Sequence, residues 1–361
     1  MLIRSNQRAP RKRRLAELLA LSTLSMALLL MISACTKEEV LVPVDETLVP
    51  SESGHTKAAP ASKQLLAYGF QLSLGSTVGP DGALYIPEGI TGEISRVDVH
   101  TGDVSTFASD LPAMLPWVGI GGPVDVVFRD GVAYALVSLV SPYVGGTETT
   151  GIYRIDGSNN NTPIADIATF NVNHQPPEDI DVFVPSGVLY AIEAYRDGFL
   201  VTDGHLNRVL YVTLDGDITI LRQFDNIVPT GLDLSGNKVY MAEAGPSPHD
   251  PEVGKVVSFV HASPKVKDVA SGAPLLVDVE FGFAQRLFAL SQGTWHGTTP
   301  GDPADENSGS LVRVNPDGTF TTIIDELNRP TSLEFIRNTA YIVTLTGEVW
   351  SVENVKSEVP F

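Results

Sequence analysis

Apolar and polar positions along this chain fall into a unit that returns at intervals of about fifty residues. Each unit has a turn of Pro-Asp-Gly or Asp-Gly type, an apolar-aromatic strand, a small or acidic residue, a second strand and another turn. Copies read GPDGALYIPEG from Gly79, RDGVAYALVS from Arg129, DGFLVTDG from Asp197, GNKVYMAEAG from Gly236, AQRLFALSQG from Ala284 and RNTAYIVTLTG from Arg337. Within a unit, apolar and polar residues alternate with period two between Gly, Asn and Asp turns, which is the mark of half-buried antiparallel strands. Short strands repeated at this period build four-stranded sheets around an axis. The expectation is therefore an all-β, six-bladed β-propeller over residues 63–355, its blades ending near 111, 170, 225, 271, 326 and 355.

Strands of the first blade are expected near 79–80, 83–87, 93–98 and 103–108, with hairpin turns at Pro80-Asp81-Gly82 and Thr101-Gly102-Asp103. In the third blade both Val188–Glu193 and Phe199–Asp203 could be the second strand. Taking the latter leaves 171–187 as a long loop leading into the blade. The last blade stops one strand short after Val349-Trp350-Ser351-Val352, while an unpaired apolar segment, Gln64–Leu74, precedes the first. Pairing the two would close the ring and hide both sheet edges.

Loop lengths separate two faces of the disc. Connections between strands 1 and 2, and between strands 3 and 4, are tight turns such as Asp130-Gly131, Asp215-Gly216 and Asp317-Gly318. The long connections, 111–122, 138–150, 171–187, 244–254 and 292–309, should share the opposite face, and function on a rigid scaffold gathers on such loops.

The first 34 residues break the pattern. A basic stretch (Arg4, Arg8, Arg11, Lys12, Arg13, Arg14) precedes an apolar run from Leu15 to Ile32, the layout of a secretory signal, too short to span a bilayer. It ends in Ile32-Ser33-Ala34-Cys35, which resembles the bacterial lipobox, so Cys35, the only cysteine, is expected to be lipidated. Lys37-Glu38-Glu39 resembles the export signal that sends Bacteroidota lipoproteins to the outer leaflet, implying an outer-membrane, cell-surface address. Residues 35–62 are poor in large apolar groups and should form a flexible tether, and 356–361 a short tail.

Removing the signal leaves 18 basic and 42 acidic residues, a balance of −24. Such a field repels nucleic acid. It suits cations, cationic substrates or plain solubility. The expected membrane contact is through acylated Cys35 alone, on a monomeric domain.

DGFLVTDGHLNRVLYVTLDGDITILRQF from Asp197 to Phe224, VPTGLDLSGNKVYMAEAGPSPHDPEVGKV from Val228 to Val256, and GPDGALYIPEGITGEISRVD from Gly79 to Asp98 together resemble the ScyD/ScyE family of secreted propellers. The resemblance spans nearly all of 63–355 and implies a six-bladed propeller without an established catalytic activity. Val188-Leu189 before Tyr190 departs from the family's Asn-Pro at that place. Asn207-Arg208 is similar to the Asn-Arg of NHL-like blades, where the arginine braces a turn.

Some six-bladed propellers are lactonases that hold calcium or another divalent cation on Glu, Asp and Asn oxygens at the channel mouth. Glu88, Asp203 and Glu243 close the second strands of three blades, where such carboxylates could gather; Val137, Ser291 and Thr344 stand at the matching places. Carboxylates there also cap turns or bind a neighbour's backbone. The Glu that the lactonase pattern places on the first inner strand is missing from Leu74–Gly79. His174, His205, His249 and His296 fall on the long-loop face with Trp117, Tyr143 and Trp295, a candidate recognition surface for a small molecule, glycan or protein; His100 and His261 fall on the opposite turns. Asp302, Asp305, Glu306 and Asn307 give an oxygen-rich loop without EF-hand spacing. There is no HExxH, nucleophile elbow, phosphate-cradling loop or dinucleotide fingerprint. The sequence supports a non-catalytic binding propeller first, and a metal-dependent lactonase or esterase built on Glu88, Asp203 and Glu243, with His249 as a further candidate, as the alternative.

Overall fold

The computed structural model describes residues 60–177, 184–246, 250, 253–297 and 301–355. The signal, Cys35, Lys37-Glu38-Glu39, most of the tether, His249 and the tail lie outside the described residues. The chain starts with β1 (Ser62–Tyr68). It then lays down a first blade of β2 (Thr77–Val78), β3 (Leu84–Glu88), β4 (Glu93–Val97) and β5 (Val104–Ala108). The second is β6 (Gly122–Arg129), β7 (Val132–Ser138), β8 (Gly151–Gly157) and β9 (Asn160–Asp166), followed by the short helix α1 (Ile167–Asn173). The third is β10 (Leu189–Tyr195), β11 (Gly198–Asp203), β12 (Arg208–Thr213) and β13 (Ile218–Gln223). The fourth is β14 (Pro229–Ser235), β15 (Lys238–Glu243), β16 (Lys255–Val260) and β17 (Val266–Ser271). The fifth is β18 (Leu276–Phe281), β19 (Leu287–Ser291), β20 (Gly309–Val314) and β21 (Phe320–Leu327). The last has β22 (Pro330–Ile336), β23 (Thr339–Thr344) and β24 (Glu348–Glu353), and β1 completes it as the outermost strand. Among the described residues this makes six antiparallel four-stranded blades, as the repeat predicts.

Closure is made by the antiparallel register Ser62↔Glu353 to Tyr68↔Glu348, broken by one irregularity between Leu65 and Ala67. The closing strand thus lies at the start of the expected Gln64–Leu74 segment, and the rest of that segment crosses to the first blade. The first inner strand sits at Thr77–Val78, two residues before its expected place. Gly79 is already in the turn, where its N–H bonds the Ala83 carbonyl and its carbonyl accepts from Gly82 N. In the third blade β11 is the second strand, and the long loop leading into the blade contains α1, capped by the Asp166 side chain on Thr169 N.

The six largest apolar clusters each span two neighbouring blades. One joins Val124, Leu136 and Ile152 of the second blade to Leu189, Phe199 and Leu210 of the third. Another joins Ala67, Tyr341 and Val349 at the seam to Leu84, Ile86 and Val97 of the first blade. A blade alone would expose both faces of its sheet, so stability comes from the ring and not from single sheets. Within the blades, connections 1–2 and 3–4 are short, while 2–3 and blade-to-blade connections hold the long loops. Antiparallel strands put the two sets on opposite faces, with the long loops together.

Candidate functional site

The first strands of successive blades pack side by side around the axis. In β6, β10, β14, β18 and β22 the pairing with the second strand slips by a bulge near the start. A bulge increases twist and re-aims the residues that follow it. Past it, Glu193 pairs with Leu200, Asp233 with Tyr240, Glu280 with Phe288 and Glu334 with Tyr341. Those partners hold equivalent places in their strands, so four carboxyls from four blades stand at one level; Thr77 and Val127 complete the ring. Two residues earlier, Asp125 and Asp278 form a second acidic level with Ser332.

Of these residues Thr77, Asp125, Glu193, Asp278, Glu280, Ser332 and Glu334 line an axial cavity of about 40 Å³, room for a few water molecules. None of the residues lining it is basic. The aspartates tie blades together: Asp125 accepts from Ile192 N at 2.8 Å, Asp233 from Phe281 N at 2.7 Å and Asp278 from Leu333 N at 2.7 Å, each the inner strand of the next blade. Their other oxygens accept from the following residue's own N–H, at Val126, Leu234 and Val279. Burial pushes the carboxyls of Asp125, Glu193, Glu280 and Glu334 well above the ordinary range, and neighbouring carboxylates push them further. Asp233 is also raised by burial, and Asp278 is pushed up to about 7 by burial against two backbone hydrogen bonds. Tyr190, in the same cavity, is raised by burial and then by Asp278 and Asp125.

The carboxylates singled out from sequence sit elsewhere, at the ends of β3, β11 and β15. Glu88 accepts from Ser95 Oγ at 2.6 Å and from Gln71 N at 3.0 Å. Asp203 accepts from the N–H groups of Val188, His205 and Leu206 and from Asn171 Nδ2 at 2.7 Å. Burial raises its pKa against these bonds and the Arg208 guanidinium. Glu243 is buried opposite Lys255 and pushed up to about 7 by burial. Glu88 and Asp203 are thus engaged by backbone and side chains of their own surroundings. Among the described residues no three His, Cys, Asp or Glu side chains are grouped so as to hold a metal ion.

On the long-loop face, Trp117 is 67% exposed, Tyr143 50%, Ile90 48% and Ile120 37%, all from loops of the first two blades. Trp117 Nε1 donates to the Val144 carbonyl at 3.1 Å, which fixes the indole against the turn that carries Tyr143. His174 instead stacks on Phe170 at 4.1 Å, its Nδ1 2.8 Å from the Phe170 carbonyl. His205 Nε2 accepts from Val184 N at 3.1 Å. In the loop after β19, Trp295 Nε1 donates to the Asp302 carbonyl, and exposed His296 lies with Nδ1 2.6 Å from Asp305 Oδ2. Two histidines therefore brace loops, while Trp117 and Tyr143 are exposed on two loops joined by the indole's bond to Val144.

The axial carboxyls are the residues that sequence reasoning missed. Their signal is an acid flanked by apolar residues in five of the six inner strands: Val-Asp125-Val, Ile-Glu193-Ala, Leu-Asp233-Leu, Val-Glu280-Phe and Leu-Glu334-Phe. Read one blade at a time, each is an ordinary solvent-facing position of a half-buried strand.

No sequence-family model and no curated protein matches the chain. Among solved structures it is similar to a gluconolactonase from Xanthomonas campestris, 12% identical with a TM-score of 0.56, covering 82% of this chain and 91% of that one. It is also similar to virginiamycin B lyase from Staphylococcus aureus, 12% identical with a TM-score of 0.50, covering 81% and 98%. At such identities the likeness establishes the shared six-bladed fold.

Proposed function

We propose that the chain is a lipid-anchored, surface-displayed binding propeller of ScyD/ScyE type, which holds a glycan on its long-loop face without performing chemistry on it. The observation that carries this reading is the exposed pair Trp117 and Tyr143, with the indole pinned to the turn that carries Tyr143, on a face where Ile90 and Ile120 are exposed as well. Rigid aromatic faces held open to solvent suit the flat apolar side of a sugar ring, with little ordering left to do on binding. The engagement of Glu88 and Asp203 in bracing speaks against a hydrolytic centre built on them.

A glycan array probed with the full chain and with Trp117→Ala/Tyr143→Ala tests the proposal. The expected result is binding to at least one glycan class, weakened tenfold or more by the double substitution. Turnover of gluconolactone in the presence of calcium, abolished by Glu243→Gln, would overturn it in favour of a lactonase.

A further inference from the structure

The axial cavity serves no role in glycan binding on the loops, yet it concentrates acid in a way that demands a compensating device. Its inner wall receives Asp125 from β6, Tyr190 and Glu193 from β10, Asp278 and Glu280 from β18 and Glu334 from β22; Thr77 of β2 and Ser76 just before it do not titrate. No lysine, arginine or histidine is among these wall residues. Asp233 of β14 stands at the same level by its pairing with Tyr240, and its oxygens accept from Phe281 N and Leu234 N. Two ionised carboxylates are both acceptors only, so carboxyls that meet in so small a space can bond to one another only while one of them carries a proton.

We propose that the shaft is a pH-sensitive lock, in which protons shared among Glu193, Asp233, Glu280 and Glu334 hold the inner strands of four successive blades together and their loss loosens the ring. Each of the four comes from a different blade, so repulsion among the ionised forms acts directly against ring closure. The same inner strands carry the Asp125, Asp233 and Asp278 links between blades, so the strain falls on those links first.

The sign follows from linkage. These carboxyls are raised in the folded chain above their unfolded value of about 4, so the unfolded state gives up its protons first as pH rises. Their contribution to stability is complete below about pH 4 and declines as pH climbs toward the folded values, the one for Asp278 being about 7. Many proteins are instead weakened on the acid side, so the direction is diagnostic.

Thermal unfolding of the full chain in detergent, followed by circular dichroism at constant ionic strength, supplies the test. Between pH 5 and pH 8 the Tm should fall by about 5 °C or more. The variant Glu193→Gln/Glu280→Gln/Glu334→Gln should lose at least half of that slope, whereas Asp103→Asn/Asp317→Asn, changed on exposed turns, should keep it. A Tm that is flat or rises over this range, or a triple variant with the full slope, would overturn the proposal. So would recovery of the pH 5 Tm at pH 8 on adding calcium, because a cation and not protons would then be the natural occupant. Should the triple variant not fold, infrared absorption of protonated carboxyl groups in the unaltered chain at pH 7 decides: its presence is expected, and its absence sinks the lock.

Discussion

Among the described residues Arg208 has the largest side chain wholly shut away from solvent. Its guanidinium donates to the His174 carbonyl and to Asn171 Oδ1, both at 2.6 Å, and Asn171 in turn donates to Asp203. One buried cation thus ties the α1 region to the turn between β11 and β12. Removing it would leave Asp203 buried without its counter-charge, so Arg208→Ala should cost about 3–5 kcal/mol in denaturant unfolding. Amide exchange over 167–174 should rise in the same variant, a local effect that a general loss of packing would not single out. The sequence marked Arg208 as a brace, but the segment it braces lies more than thirty positions earlier, a distance no local motif reveals. Gly231 makes a second case at this scale. A Cβ there would lie 2.0 Å from Asp278 Oδ1, so Gly231→Ala must displace the carboxyl that accepts from Leu333 N. A loss of about 2–3 kcal/mol is expected by the same measurement, with no change in glycan binding.

Strands and turns were legible because each is set by its own few residues: Asp-Gly pairs fix the hairpins, and alternation fixes which face is buried. The short inner strand β2 was misplaced by two residues because Gly79-Pro80-Asp81-Gly82 closes a tighter turn than its composition suggests. The acidic ring was illegible for a different reason. Glu193 and Glu334 sit in separate blades more than a hundred residues apart, and only closure of the sheet series brings them to one level. The aromatic platform is intermediate: Trp117 and Tyr143 could be placed on one face by counting strands, but the indole bond that fixes them could not. Closure itself rests on one strand, and Ala67 is its buried contact with Tyr341, Val343 and Val349. Ala67→Asp would force a carboxylate into that cluster. It should lower stability by about 3 kcal/mol or more and expose the β24 edge, seen as a lower urea midpoint and as light scattering on standing.

For the whole molecule, the ring divides labour between faces and axis. Six interfaces supply the apolar cohesion, one face carries the elaborated loops, and the axis gathers carboxyls on whose protons the proposed lock depends. A milieu that turns alkaline should therefore weaken the disc from its centre outward, while the blade interfaces stay apolar and indifferent to pH. The proposed glycan capture on the loops of the first two blades should be unaffected by pH until the ring itself gives way.

The seam between β1 and β24 adds a mechanical property. The chain reaches Ser62 on the short-turn face and runs from there toward the long loops, antiparallel to its partner. Tension on the segment ahead of Ser62, with the disc held by its loops, would drag β1 lengthwise along β24. Bonds along the strand would share the pull at once, as in shear, where peeling would take them singly. A strand recruited to hide two edges thereby becomes a tow-bar, able to transmit force from the chain's start to whatever the opposite face grips.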